Sequence, residues 1–175
     1  KDQKVTSCLL RAFAVAASGD KSDNAQGFGN VNLSRVLVYP ETDTDRGLRF
    51  TSGEIHSNEG FTFTIKQTKE GPLSVSLCWI DLPLSSDSSV PLFAYLDLLV
   101  VCPDGRIFES VEDFSTTKKI SIEKAAIGEY QIRVKSNTVQ EIEDAVYFSI
   151  VVVGGFDHLD FQSNPSLLTG RLTSS

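Results

Sequence analysis

The sequence contains no methionine at any position, the first included, which reads as a processed or excised piece of a longer protein. Positive charge is also scarce: 16 Lys and Arg face 23 Asp and Glu, a formal net charge of -7. That balance excludes a surface that tracks phosphates, since nucleic-acid affinity draws on clustered Lys and Arg, and the doublet Lys118-Lys119 is too small to supply it. Long apolar runs are missing too. A candidate such as Phe148 to Val153 is strand-length and far below the roughly 20 residues that span a bilayer. The N-terminus lacks the charged, apolar and small-residue succession of a signal peptide. Cysteine is limited to Cys8, Cys78 and Cys102, whose spacing fits neither a zinc site nor a dense disulfide framework. Cys78 and Cys102 sit in apolar, strand-like surroundings, so they read as buried small hydrophobes. A bridge between them is the alternative if their strands are neighbours.

What the chain does have is two kinds of periodicity. From Ser7 to Ala17, Cys8, Leu9, Leu10, Ala12, Phe13, Val15 and Ala16 recur at helical intervals. This helix is apolar over much of its circumference, and one helix beside one sandwich is expected to have little to bury it against. Turn formers from Ser18 to Asn24 end it. The glycines of Gly27-Phe28-Gly29-Asn30-Val31-Asn32 then permit a tight path, and a short helix, Leu33 to Val38, is expected with Asn32 as its N-cap.

After Pro40 the period becomes two. Phe61 to Lys66, Leu73 to Trp79 and Tyr130 to Lys135 alternate apolar and polar residues, as strands with one face on a core do. Leu96 to Val101 and Val146 to Val153 are more continuously apolar, which suits strands covered on both sides. Weaker strands are expected at Leu48-Arg49-Phe50, Ile107-Phe108-Glu109 and Lys119 to Ile122. Lys69-Glu70-Gly71-Pro72 and Pro103-Asp104-Gly105 read as hairpin turns, and Ala126-Ile127-Gly128 leads into a further strand. About eight short strands at this spacing predict a mainly β fold, an antiparallel β-sandwich or jelly roll preceded by one or two short helices. A polar tail follows Gly154-Gly155.

The order of these motifs resembles the C-terminal part of a subtilisin-like serine protease. The Leu9-Leu10-Arg11-Ala12 helix and Gln26-Gly27-Phe28-Gly29-Asn30-Val31-Asn32-Leu33 look like the closing segment of a subtilase catalytic domain. Leu77-Cys78-Trp79-Ile80-Asp81-Leu82-Pro83, Leu96-Asp97-Leu98 running into Cys102-Pro103-Asp104-Gly105, and Gly128 to Val134 resemble the jelly roll appended to many large subtilases. The P domain of proprotein convertases is a more distant relative. The resemblance spans roughly residues 5 to 154. It implies residues 1–40 as the last helical pieces of a peptidase domain, 41–155 as the appended sandwich and 156–175 as a tail. It further implies a secreted or secretory-pathway parent, with the catalytic domain as partner, covalent or cleaved, and as the missing cover for the apolar helix. One departure stands out. Many such domains carry Asn-Asp-Leu-Asp-Leu, where this chain has Ala94-Tyr95-Leu96-Asp97-Leu98, so two oxygens that could serve a hard cation are lost.

Candidate chemistry is sparse. A subtilase needs Asp, His and Ser brought together from distant points, and the Gly-Thr-Ser-like turn that would carry the Ser is absent, so no catalytic residue is assigned. The histidines, His56 in a Ser52–Asn58 loop and His158 in the tail, lie in no nucleophile elbow. Calcium is the one cofactor to weigh, with Asp81, Asp87 and Asp97 as its candidate ligands around the polar loop Leu82 to Val90. Asp104 reads as a turn residue. Trp79 shares the parity of Val75 and Leu77 and is expected inward, not as a stacking platform. Phe28 and Tyr39 are candidates for packing between domains, and Asn32-Leu33-Ser34 fits a glycosylation sequon that such packing would bury. The expected role is a non-catalytic module that stabilises a protease domain and aids binding of protein or peptide substrate. A free-standing module for glycan or a cell-surface protein is the alternative.

Overall fold

A computed structural model describes residues 2–19, 27–38, 46–81, 92–110, 115–138 and 145–156. One helix, α1 (Asp2–Ala16), precedes a 3-10 turn at Leu33–Arg35 and eight strands. These are β1 (Gly47–Ile55), β2 (Gly60–Gln67), β3 (Gly71–Trp79), β4 (Ala94–Val101), β5 (Ile107–Ser110), β6 (Thr117–Ala125), β7 (Gly128–Thr138) and β8 (Val146–Gly154). They form two four-stranded antiparallel sheets, ordered β1-β8-β3-β6 and β2-β7-β4-β5. Successive strands switch sheets at every step except β4 to β5, which gives the jelly-roll order expected from the spacing of the strands.

The period-two segments place their apolar parity between the sheets. Leu73, Val75, Leu77 and Trp79 of β3 face Leu96, Leu98, Ile132 and Val134 of the opposite sheet within one core. Phe148 meets Phe61 edge-on, with ring centroids 5.3 Å apart. Trp79 is fully buried, and its indole N–H donates to the Ala94 carbonyl at 3.1 Å. Phe156, which the sequence pattern assigned to the tail, is buried too, and it packs against Gly47 so closely that a Cβ there would lie 2.4 Å from its ring.

Four expectations change. The turn at Lys69–Pro72 is a corner between sheets and not a hairpin, because β2 and β3 do not pair; Pro103-Asp104-Gly105 does join the paired β4 and β5. β4 is interior to its sheet, yet it buries one face only, alternating fully and half-buried positions. The second helix shrinks to a single 3-10 turn, although Asn32 caps it as expected, its side chain accepting from the Ser34 amide. The largest change concerns α1, which begins at Asp2 and does have a burial partner within this chain. It lies on the outer face of the β1-β8-β3-β6 sheet, where Ala12, Val15, Ala16 and Ala17 pack with Cys78, Val151 and Val153. β8 is therefore covered on both faces, as its unbroken apolar run requires.

Candidate functional site

α1 is tied to the sandwich from its middle to its end. Midway along it the Cys8 thiol donates to the Tyr147 carbonyl at 3.2 Å. One turn on, Arg11 reaches the Trp79 carbonyl at 3.3 Å and the Thr116 hydroxyl at 2.6 Å. At the far end, carbonyls of the last turn and of the residues just beyond it converge on Lys119 of β6, whose ammonium donates to Val15, Ala16, Ser18 and Gly19 at 3.0–3.3 Å. A cation is the matching charge for a helix C-terminus. Arg35 adds a bond to the Ser18 carbonyl at 2.7 Å.

The glycine turn closes this unit. Gly27 and Gly29 take φ of 58° and 77°, left-handed values that a side chain resists. The path they allow returns the chain to the helix end, with the Gly19 amide donating to Phe28 at 2.6 Å and the Asn32 amide to Ala17 at 2.8 Å. Phe28 is half-buried against the helix–sheet cluster; Tyr39 lies outside the described residues.

Around this unit several large apolar side chains reach the surface. Seven large hydrophobic side chains are exposed among the described residues, and five of them, Leu10, Val31, Leu33, Leu37 and Phe50, belong to α1, residues 31–37 or the outer face of β1. Phe50 stands beside Phe13 of α1, with ring centroids 5.5 Å apart. The sequon Asn32-Leu33-Ser34 is exposed on the same segment.

Of the candidate metal ligands, Asp81 and Asp97 lie among the described residues. No group of three His, Cys, Asp or Glu side chains that could hold an ion occurs among the described residues. Asp81 instead pins the start of β4, its two oxygens accepting from the Phe93 and Ala94 amides at 2.9 Å each. Asp97 bonds Asn137 and lies 3.9 Å from the buried Lys118 ammonium. Asp104 closes the β4–β5 hairpin by accepting from the Arg106 amide and guanidinium, contacts that hold its carboxyl below the usual range. Asp87 and His158 lie outside the described residues, and the His56 amide donates to Glu59 in the β1–β2 turn. Asp81→Ala is accordingly expected to cost about 2 kcal/mol in urea unfolding, the scale of losing two hydrogen bonds to a carboxylate.

The three cysteines are free and buried, so the alternative of a Cys78–Cys102 bridge is not realised. Burial pushes all three thiols up, and Cys78 to about 12, with the Arg11 charge opposing it only in part. A thiol held protonated is a poor nucleophile. The native chain should therefore react slowly with a thiol reagent at pH 8 and release three equivalents once unfolded. The linkage has a definite sign: above the ordinary value of 9.0 the unfolded Cys78 has lost a proton that the folded one keeps. Stability is thus lost as pH rises from 9 toward 12, with a slope of up to ~1.4 kcal/mol per pH unit. Cys78→Ala should flatten that part of the profile.

Lys119, Arg11 and Arg35 were not legible as a helix clamp. The Lys118-Lys119 doublet was visible only as charge, and nothing local shows that one lysine turns into the sandwich while its neighbour reaches a helix end 100 residues away.

Fold and site together define an antiparallel jelly-roll sandwich that carries a docked N-terminal helix. No protein-family model matches the chain, and no curated protein matches its sequence. Among solved structures it is similar to the mitogen derived from Yersinia pseudotuberculosis, at 14% identity and a TM-score of 0.46, covering 74% of this chain and 97% of that one. It is also similar to PliG of Aeromonas hydrophila, a periplasmic inhibitor of g-type lysozyme (13% identity, TM-score 0.35, 66% and 90% coverage). A third is the Bacillus licheniformis lipase BlEst2 in propeptide form (16% identity, TM-score 0.37, 78% and 26% coverage). These likenesses are too distant to bear on function.

Proposed function

We propose that this chain is the non-catalytic C-terminal region of a subtilisin-like serine endopeptidase. In this reading residues 1–40 are the last helical pieces of the peptidase domain and residues 41–155 its appended jelly roll, in a secreted or secretory-pathway parent. The sandwich stabilises the catalytic domain and helps to hold protein or peptide substrate. The observation that carries the reading is the gathering of Leu10, Val31, Leu33, Leu37 and Phe50 around the α1 unit. Those residues belong to, or border, the segments whose motifs resemble a subtilase. An apolar surface of this kind marks a protein contact, and a catalytic domain seated there would be stabilised as any folded protein is by a ligand that binds only its folded state.

No residue of the described chain is assigned to catalysis in this role. Arg11 and Lys119 tie the α1 helix to the sandwich, and Arg35 ties the 3-10 turn to the helix end. Reading the coding sequence upstream of Lys1 is the direct test. A Gly-Thr-Ser nucleophile segment ahead of α1 is the expected result, and its absence sinks the proposal. Hydrolysis of a broad peptide substrate by the isolated 175-residue chain would overturn the non-catalytic role.

A further inference from the structure

Two asparagines of the sequence have a hydroxyl residue two places on, Asn32 before Leu33-Ser34 and Asn164 before Pro165-Ser166. Proline in the middle position disqualifies the second as an acceptor of N-linked sugar, which leaves Asn32-Leu33-Ser34 as the one such motif in the chain. Three residues are a short motif, and the structure adds what the pattern lacks. Residues 31–35 are all exposed. Asn32 stands in extended backbone, with φ of −119° and ψ of 102°, as the N-cap of the 3-10 turn. The cap uses only the oxygen of its carboxamide: Oδ1 accepts from the Ser34 amide at 3.1 Å and from the Ser34 hydroxyl at 2.8 Å. Nδ2, the atom that a sugar would take, has no part in those bonds. The turn itself is anchored from behind. The Asn32 amide donates to the Ala17 carbonyl at 2.8 Å, Arg35 donates to the Ser18 carbonyl at 2.7 Å, and Val36 is buried. The motif is therefore held at the surface by groups that do not compete for its reactive atom.

We propose that Asn32 is an acceptor site for an N-linked oligosaccharide. In the transfer a bond forms between Nδ2 and the anomeric carbon of a sugar carried on a lipid diphosphate, and the bond from that carbon to the phosphate oxygen breaks. The lipid diphosphate leaves with the electron pair, and Nδ2 gives up one of its two protons. Nothing is oxidised or reduced. Transfer reaches the chain before it has folded, so the fold has only to accommodate the product. It does so without losing a hydrogen bond, because the substituted amide keeps Oδ1 to cap the turn. The site rests on the protease reading only for its secretory-pathway parent. It also bounds the contact proposed above: a sugar is bulky and solvated, so with Asn32 modified a catalytic domain meets the apolar surface from the side of Leu10 and Phe50.

The test is expression of the whole 175-residue chain in a eukaryotic cell behind an appended signal peptide, which supplies the compartment whatever the natural parent is. Cell-associated and secreted chain are both read on a denaturing gel. A larger species is expected, and it should collapse to the unmodified size on treatment with an amidase that cleaves glycan from asparagine. That cleavage leaves aspartate at position 32, which peptide mass spectrometry reads. Ser34→Ala should abolish the larger species while the Ser34 backbone amide still meets the Asn32 cap. Ser34→Thr, which restores a hydroxyl, should retain it. Two results overturn the site: a chain that stays unmodified, or a larger species that survives Ser34→Ala. Either leaves the upstream coding sequence as a separate test of the parent, so failure of the site and failure of the protease reading are told apart.

Discussion

Replacing Trp79 with alanine is expected to remove ~3–5 kcal/mol of stability, the scale measured for deleting a large buried aromatic. Domains of this kind have ~5–15 kcal/mol in total, so the variant should unfold at much lower urea or melt tens of degrees earlier. The side chain is fully buried among the residues that join the two sheets. Its loss leaves a void that a close-packed interior cannot collapse around. Position adds to the effect. Trp79 ends β3, and its indole holds the Ala94 carbonyl while Asp81, two residues on, holds the Ala94 amide. Both peptide groups flanking Ala94 are thereby fixed by the strand that precedes the crossing. Trp79→Phe separates the contributions, keeping most of the volume and losing the N–H donor. It should cost ~1–3 kcal/mol. Urea titrations followed by circular dichroism would check both, since fluorescence disappears with the only tryptophan. A Trp79→Ala midpoint equal to that of Trp79→Phe would mean that the cavity contributes little.

The strand pattern was legible because one parity faces a core and the other does not. β2, β3 and β7 alternate cleanly, and the inward set they predict is the observed one. β8 was read as covered on both sides, and the same logic contained the answer to the helix. Its Ile150 and Val152 face the sandwich core while Val151 and Val153 face outward, so a second cover is required. The neighbouring outward positions on β3 are Ser74, Ser76 and Cys78, small enough for a helix bearing Ala12 and Ala16 to approach closely. That pairing of small surfaces is tertiary information, invisible to periodicity, which sees an apolar helix and not its partner. β4 misled in the opposite direction. Its outward Leu99 and Val101 suggest coverage, yet Tyr95 and Asp97 share that face and it stays half-open. The turn at Lys69–Pro72 was misread because the residues that bend a hairpin also bend a corner between sheets. Asp81 stands out in the sequence because it brackets a polar loop with Asp87, but nothing local shows that its carboxylate takes the Phe93 and Ala94 amides. Asp104, read as a turn residue, holds the Arg106 amide as such a residue does.

Ala12→Glu is expected to be comparably severe, and it decides whether α1 is integral to the sandwich or a passenger on it. Ala12 is fully buried between α1 and the outer sheet, in the cluster with Cys78 and Val151. A carboxylate there would be desolvated among apolar neighbours, a cost of several kcal/mol whether it stays charged or takes up a proton. The helix can avoid that cost only by leaving the sheet, which would expose Val151 and Val153 and free the four carbonyls gathered by Lys119. Either route should lower the unfolding midpoint of the whole chain. Leu10→Glu is the matched control. Leu10 sits one half-turn away and is 66% exposed, so its substitution should change stability by no more than ~0.5 kcal/mol. Tryptophan fluorescence reports the sandwich and far-ultraviolet circular dichroism the helix. If Ala12→Glu abolishes the helical signal while the Trp79 transition stays in place, α1 is a passenger. If the two transitions move down together, its cover is part of the fold. In that case the exposed Leu10 side, and not the buried Ala12 side, is what remains for another protein to bind.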